Sequence, residues 1–249
     1  MLEKNKPRIL IITPFRNEDH AFNQYLESLL ELDYPHDLID IYWLENDSTD
    51  KTLDLLKVVE HTTDFKSLRL ESIEILGPVN KRPPGEYVKD IPYGSGRVAP
   101  WLVIWNDYFL PEIRKSTADY VMPWYADGLA PSNVITEYLN VFEQHPDAGW
   151  VGGSIHRRHP QEDDLTCPRP RELAYSKTPV RASYVGHTWM MPRDALARCI
   201  FGFDSREMHF TLIDGLAEMG LYVYYQPSVF LKHISTDGKI YKHELDEPL

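Results

Sequence analysis

Arg8 to Thr13 reads RILIIT, a continuous apolar run that Pro14 stops, and no other stretch limits the possible folds so strongly. A strand with one face in water alternates polar and apolar residues. A run without alternation has both faces covered, as in the parallel strands of α/β proteins. The run therefore predicts a central strand. After a polar start at Asn17 and Asp19, Phe22, Tyr25, Leu26, Leu29 and Leu30 have the one-face spacing of an amphipathic helix. Asp40 to Glu45, DIYWLE, is rich in aromatic and branched residues and predicts a second strand. Ser48, Thr49 and Asp50 are placed to cap the next helix, which carries Leu53, Leu56 and Val59. Right-handed crossover makes the two strands parallel neighbours, and their carboxyl ends open onto one crevice, where ligands of open α/β sheets bind.

Beyond Gly77 the prolines and glycines up to Gly96 predict a loop, and a helix resumes at Val98, Trp101, Leu102 and Trp105. ADYVMPW predicts a third buried strand that delivers Asp127, with a helix after it at Ile135, Tyr138, Leu139 and Phe142. GWVGG predicts a short strand ending in glycines. Residues 157 to 181, with Pro160, Pro168, Pro170 and Pro179 among charges, predict a mobile flap. YVGHTWMM predicts a further strand, and Pro192 suits the first turn of a helix. Phe210, Ile213 and Ala217 form a helical stripe before Gly220, and LYVYYQPSVFLKH supplies the last strand. The expectation is a single α/β domain over residues 1–249, with a mostly parallel central sheet flanked by helices.

Charge narrows the partners. Lys and Arg number 26 against 38 Asp and Glu, a net charge of −12, which repels a nucleic-acid backbone. A phosphate-bearing ligand must then meet local cations or a metal. Cys167 and Cys199 are too few for a disulfide framework or a thiolate zinc site and fit a reducing, cytoplasmic setting. The apolar run Ile9 to Ile12 is too short for a signal segment or a membrane span, so no transmembrane segment is expected.

The strand ends carry polar signatures: TPFRNE, LENDSTDKT and, later, YADG. With these the chain resembles the GT-A glycosyltransferases, especially glycosyltransferase family 2 and the fungal mannosyltransferases of the Mnn9/Anp1 type. The resemblance implies a GT-A (Rossmann-like) fold in which residues 1–127 bind a nucleotide-diphosphate sugar and residues 128–249 bind a glycan or other hydroxyl acceptor. It implies a nucleoside site at Pro14, Arg16 and Glu18 of the first loop, Glu45 or Asp47 at the second strand end, Arg97 and Asn106 on the following helix, and Tyr125. STDKT is similar to the family's Ser-Thr-Asp-x-Thr segment.

The family's Asp-x-Asp metal signature aligns with Tyr125-Ala126-Asp127, so its first carboxylate is missing. Asp127, with His233 at the end of the last strand, is expected to bind Mn²⁺ or Mg²⁺ bridging the diphosphate. Asp-Gly is also a strong turn dipeptide, which makes a hairpin the alternative for Asp127. Asp214 resembles the base that deprotonates the acceptor in inverting members; alternatively, Thr211 and Asp214 have capping-box spacing. His187 and Trp189 fall where the family binds the acceptor, although a strand tryptophan is also ordinary core. HRRHP, residues 156–160, could neutralise the leaving diphosphate or be a solvated loop.

The predicted activity is a metal-dependent, inverting sugar transfer, with a retaining transfer or an inactive sugar-nucleotide or glycan-binding module as alternatives. The fungal relatives that ENDSTD resembles are retaining. A sugar-phosphate nucleotidyltransferase ranks lower, because TPFRNEDHAF has none of the glycines of that class's phosphate loop.

Overall fold

A computed structural model describes residues 6–61, 64–75, 98–156, 165–168, 170–201, 208–235 and 237–240. The chain opens β1 (Ile9–Phe15), α1 (Phe22–Leu30), β2 (Ile39–Asn46), α2 (Thr52–Val59) and β3 (Ser67–Ile73). Next come α3 (Val98–Val103), a π-helical stretch at Ile104–Phe109, α4 (Leu110–Lys115), β4 (Tyr120–Pro123), β5 (Gly128–Leu129) and α5 (Val134–Gln144). The remainder is β6 (Ala148–His156), β7 (Leu165–Cys167), β8 (Val180–Ala182), β9 (Trp189–Pro192), α6 (Arg193–Arg198), α7 (Met208–Glu218) and β10 (Tyr222–His233).

One sheet runs β3-β2-β1-β4-β9-β6-β10-β5, with β7 on β6 and β8 on β10. The first four strands are parallel. β9 then joins β4 to β6 with antiparallel pairing on both sides, and β6 and β10 are parallel. β1 is the central strand that its unbroken apolar run predicts. Ile9, Ile11 and Phe15 pack into one layer with Tyr25, Leu29 and Trp43, while Leu10 and Ile12 pack into the other with Trp105, Phe109 and Trp189. Each such side chain contributes about 1.5–3 kcal/mol on burial, so covering both faces of β1 fixes its depth and register together. Polar atoms in the first layer are satisfied internally. Trp43 donates its indole N–H to the Tyr25 hydroxyl at 3.1 Å, and that hydroxyl also bonds Thr13 Oγ1 at 2.8 Å.

Several boundaries move once packing decides them. YVGHTWMM is strand only from Trp189, and Pro192 ends that strand one residue before α6 rather than lying in the helix. On α7 Leu212 and Leu216 are buried and Ile213 packs against the same core, while Ala217 of the predicted stripe is exposed and the side chain of Phe210 lies outside the described ones. Thr211 lies inside α7, so the Thr211–Asp214 pair is not a capping box. Of the expected flap, residues 157–164 and 169 lie outside the described residues. Its two described ends pair onto the sheet as β7 and β8, with a 3-10 turn at Arg171–Tyr175 between them.

GWVGG does not end its strand, since β6 continues to His156. Its glycines are there for closeness. A Cβ on Gly153 would lie 2.3 Å from the Val229 carbonyl oxygen and 2.6 Å from Val229 Cγ1, where β6 and β10 shift register. Gly153→Ala is therefore expected to destabilise the fold by about 1–3 kcal/mol, an overpacking cost, read as a lower urea midpoint at an unchanged m-value.

Candidate active site

Because β1, β2 and β4 are parallel, their carboxyl ends open on the same rim. Arg16 to Glu18 follow β1, Asp47 follows β2, and Trp124 to Asp127 follow β4. The first two loops are laced together by side chains. The N–H of Asn17 donates to Ser48 Oγ at 3.1 Å, that of Thr49 to Asn17 Oδ1 at 2.7 Å, and that of Glu18 to Thr52 Oγ1 at 2.8 Å. Asp50 closes the seam by accepting the N–H of Thr52, the first residue of α2, at 2.9 Å and that of Asp19 at 3.2 Å. The Ser-Thr-Asp-x-Thr segment thus fixes the shape of the rim.

Asp127 arrives through a turn. The Gly128 N–H donates to the Tyr125 carbonyl at 3.0 Å, so the Asp-Gly turn exists. It is not a hairpin, because β5 leaves β4 and pairs antiparallel with β10, setting His233 opposite Gly128. The Ile234 N–H closes this junction on the Asp127 carbonyl at 2.7 Å. The turn itself brings Asp127 to the end of β10.

At this junction His233 Nε2 lies 3.0 Å from Asp127 Oδ2, and His187 Nε2 lies 3.7 Å from Asp127 Oδ1. Both imidazoles are buried, with side chains 7% and 6% exposed, while Asp127 is 30% exposed. One ligand atom from each of the three residues lies within 4.8 Å of the others. Two donors of a cation with bonds of about 2.1 Å sit about 3.0 Å apart at right angles and about 3.4 Å apart at the tetrahedral angle. The donor set, one carboxylate and imidazole nitrogens, fits a divalent transition metal.

The cluster opens on a cavity of about 350 Å³ lined by Pro14, Arg16, Glu18, Asn46, Trp101, Tyr125 and Asp127, among others. Trp101 and Tyr125 meet edge to face with centroids 5.3 Å apart, a wall suited to a planar or sugar ring. Among the described lining residues Arg16 is the one cation, against Glu18 and Asp127. Burial, then the charges of Asp127 and Asp50, push the Glu18 carboxyl up from its ordinary 4.5 to about 8. Among the described residues three other than glycine have positive φ, Asn17 at 55°, Asp47 at 52° and His187 at 63°, and all three belong to this rim. Such backbone costs energy and clusters at functional sites.

The structure redistributes several expected roles. Pro14, Arg16, Glu18 and Tyr125 line the cavity together with Asp127. Glu45 does not: it is 2% exposed and accepts the Ser48 N–H at 2.7 Å and the Ser72 hydroxyl at 2.5 Å. Asp47 Oδ2 accepts the Ile75 N–H at 3.0 Å, tying its loop to the end of β3. Asn46, between them, faces the cavity, and strand alternation carries the signal: residues 45 and 46 point to opposite sides. Asn106 spends both ends of its amide on the backbone of Phe201, at 2.7 and 3.1 Å, and faces no ligand. Trp189 is 1% exposed and stacks on Trp105 at 5.9 Å, so it is core and offers no face to an acceptor. His187 joins Asp127 instead of an acceptor surface. Arg97 and residues 157–160 of HRRHP lie outside the described residues.

Asp214 is exposed and two residues from Leu216, whose side chain packs on Gly149 at the start of β6. His233 neighbours the opposite end of β6, where His156 pairs Lys232. Seven residues of strand separate Gly149 from His156, roughly 23 Å. The partly desolvated base expected at Asp214 is therefore absent from this rim: the helix lays that residue against the other end of the sheet.

Among known proteins, the family model described as Anp1 matches residues 1–87. The Mannan polymerase II complex anp1 subunit of Schizosaccharomyces pombe is 40% identical over 52 residues, 21% of this chain and 12% of that protein. A Methanococcus voltae protein, dolichyl N-acetyl-alpha-D-glucosaminyl phosphate 3-beta-D-2,3-diacetamido-2,3-dideoxy-beta-D-glucuronosyltransferase, is 24% identical over 149 residues, 60% of this chain and 39% of that protein. The chain thus spans well under half the length of either. Among solved structures, mannosyltransferase PcManGT from Pyrobaculum calidifontis, in complex with GDP-Man and Mn²⁺, superposes with a TM-score of 0.62 at 18% identity, covering 94% of this chain and 59% of that one. Residues 1–349 of S. aureus TarS, in complex with UDP-GlcNAc, superpose with a TM-score of 0.53 at 13% identity, covering 88% and 58%. The fold is that of the GT-A glycosyltransferases. Among the described residues no helix is long and apolar enough to cross a membrane.

Glu18 supplies a test of the site's electrostatics. With its pKa raised to about 8, the folded protein retains a proton that the unfolded chain, with Glu18 near 4.5, has released. Stability then falls as pH rises from about 4.5 to about 8 and is fully present only below that window. Glu18→Gln is expected to flatten this loss, measured as urea midpoints between pH 5 and 8 in EDTA. Parallel slopes for both proteins would return Glu18 to an ordinary carboxylate.

Proposed function

We propose that this chain is a glycosyltransferase that moves a sugar from a nucleotide-diphosphate sugar to an acceptor hydroxyl, with a divalent cation, Mn²⁺ or Mg²⁺, held by Asp127 and His233. The observation that carries the proposal is the convergence of these two residues, 106 apart in sequence, beside a cavity at the ends of β1, β2 and β4 that Asp127 lines. The fold shared with enzymes solved with GDP-Man and with UDP-GlcNAc supports the donor class. In this reading residues 1–127 hold the nucleotide and residues 128–249 the acceptor, a glycan or other hydroxyl compound.

The cavity's electrostatics give each residue a task. Asp127 would repel a diphosphate from a cavity whose described lining has Arg16 as its one cation. The cation, when bound, supplies the charge that stabilises the departing diphosphate. Arg16 is placed to meet phosphate oxygens, Asn46 to bond a ribose or base, and Trp101 and Tyr125 to cover a ring face. A protonated Glu18 avoids adding a second negative charge beside Asp127.

With the expected base Asp214 placed away from the cavity, the reading favours retention, the course of the fungal relatives that ENDSTD resembles. In a retaining transfer the departing phosphate oxygen lies on the face from which the acceptor attacks and takes its proton, so no side-chain base is needed.

Two measurements test the proposal. In a thermal-shift series of nucleoside diphosphates and their sugars, Mn²⁺ and the correct nucleotide together are expected to raise the melting temperature, and Asp127→Asn to abolish the joint shift. Joint shifts without sugar transfer or donor hydrolysis would favour a binding module. Separately, NMR of the product is expected to show the donor's anomeric configuration. Asp214→Asn, which would cost about 10²–10⁴ in rate at a catalytic base, is expected to leave turnover within roughly threefold. An inverted anomer, together with a crippled Asp214 variant, would restore the inverting mechanism.

A further inference from the structure

Trp189, Asn106 and Asp214 leave the site, but His187 enters it in a position that neither the Asp-x-Asp pattern nor a general acceptor role explains. We infer that His187 is a third protein ligand of the same cation, so that the chain holds a transition-metal ion before any nucleotide arrives and discriminates against Mg²⁺. The inference rests on the reading that Asp127 and His233 hold a cation.

The two imidazoles approach different oxygens of one carboxylate: His233 Nε2 is 3.0 Å from Asp127 Oδ2 and His187 Nε2 is 3.7 Å from Oδ1. The second distance is longer than a hydrogen bond and brings the ring to the same carboxylate from its other side. The surroundings hold that ring in place. His187 has φ of 63°, a backbone conformation few residues with a side chain adopt, and its ring lies where a Cβ on Gly128 would come within 2.9 Å of Nδ1. Only glycine at 128 leaves room for it. Next in the chain, Thr188 is anchored by the Tyr138 hydroxyl, which donates to its carbonyl at 2.9 Å, and Trp189 is locked in the core. A strained backbone, a reserved space and an anchored neighbour all serve to point one buried imidazole at Asp127 and His233.

Donor chemistry gives the consequence. Asp-x-Asp sites present oxygens, and here Tyr125 stands where their first carboxylate would be. A carboxylate with two imidazoles is nitrogen-rich. It suits Mn²⁺, Co²⁺ or Zn²⁺, whereas Mg²⁺ demands oxygen ligands and keeps its waters. Three protein ligands also supply half of an octahedral shell, so the substrate's phosphates complete a site that already exists.

The test titrates Mn²⁺ alone into nucleotide-free protein, following loss of the free-ion EPR signal. Wild type is expected to bind one Mn²⁺, Mg²⁺ in large excess is expected not to displace it, and pulsed EPR is expected to count two imidazole nitrogens. His187→Asn keeps a residue that tolerates positive φ and removes the imidazole. It should weaken Mn²⁺ at least roughly tenfold, the loss that even an outer-shell partner of a ligand causes, and show one imidazole. Unchanged affinity in His187→Asn, or a single imidazole in wild type, overturns the inference; Asp127→Asn losing Mn²⁺ in the same series would leave the cation reading standing. Binding of Mn²⁺ only when a nucleoside diphosphate is present also overturns it without touching the donor reading, whereas no binding under either condition sinks both. Should His187→Asn fail to fold, Mg²⁺ competition and the nitrogen count on wild type decide the matter alone.

Discussion

The site depends on a very small piece of β-structure. Two residue pairs, His233 opposite Gly128 and Lys232 opposite Leu129, together with the bond from the Ile234 N–H to the Asp127 carbonyl, bring the end of β10 to the turn after β4. A strand of two residues has no stability of its own. It forms because β10 is already fixed along β6 as a twelve-residue strand with Val223, Tyr225, Val229 and Leu231 buried. Side chains alternate across a strand, so a slip of one residue would turn His233 away from Asp127. Pro227, which cannot donate to a ladder, falls where the β6–β10 register shifts between Tyr225 and Phe230. The register that matters for chemistry is set beyond this irregularity, close to the site.

A second constraint is charge. The rim collects Glu18, Asp47, Asp50 and Asp127 in a chain whose net charge is −12. The fold relieves part of this internally: Asp50 and Asp47 are absorbed by backbone N–H groups, and Glu18 is held neutral by burial and by its acidic neighbours. What remains toward the cavity is Asp127 flanked by imidazoles, a site whose field favours a cation. Backbone strain at Asn17, Asp47 and His187 is concentrated on the same rim. The rest of the molecule, with its doubly covered β1 and interlocked aromatic layers, offsets that strain.

How far the sequence discloses this arrangement depends on whether local chemistry or distant packing decides each residue. The run RILIIT implies a strand covered on both faces without reference to anything else, and the first loop with STDKT marks the rim because its capping residues act on near neighbours. Asp127 was legible in two ways, as a hairpin turn and as a metal-binding carboxylate; the turn is there without the hairpin, and the carboxylate lies 3.0 Å from His233. The fates of Asn106 and Asp214 were not legible, whereas Trp189 takes the core place that was its alternative. Asn106 is consumed by a backbone segment 95 residues away, Trp189 is claimed by a tryptophan on another element, and Asp214 is carried off by the direction in which α7 packs. The place of His187 beside Asp127 was not foreseen, because nothing local announces a positive φ at a histidine. Asn46 was missed because the acidic residues on either side of it looked more chemical.

The same division bears on why the family model matches only the first part of the chain while the structural likeness runs over nearly all of it. The family match covers residues 1–87, yet the superposition on PcManGT covers 94% of the chain. In the first half the nucleotide rim is made by loops whose shape depends on particular side chains: Asn17 must bond Thr49, Ser48 must receive Asn17, and Thr52 must receive Glu18. Changing any one of them unlaces the rim, so a continuous stretch of sequence carries the signal. In the second half the sheet needs only burial, which many apolar residues satisfy, and the proposed cation site needs Asp127, Gly128, His187 and His233, isolated positions separated by segments that any compatible packing can fill. A cation site built this way would have almost no contiguous signature. Its residues come together only where β5 pairs with β10.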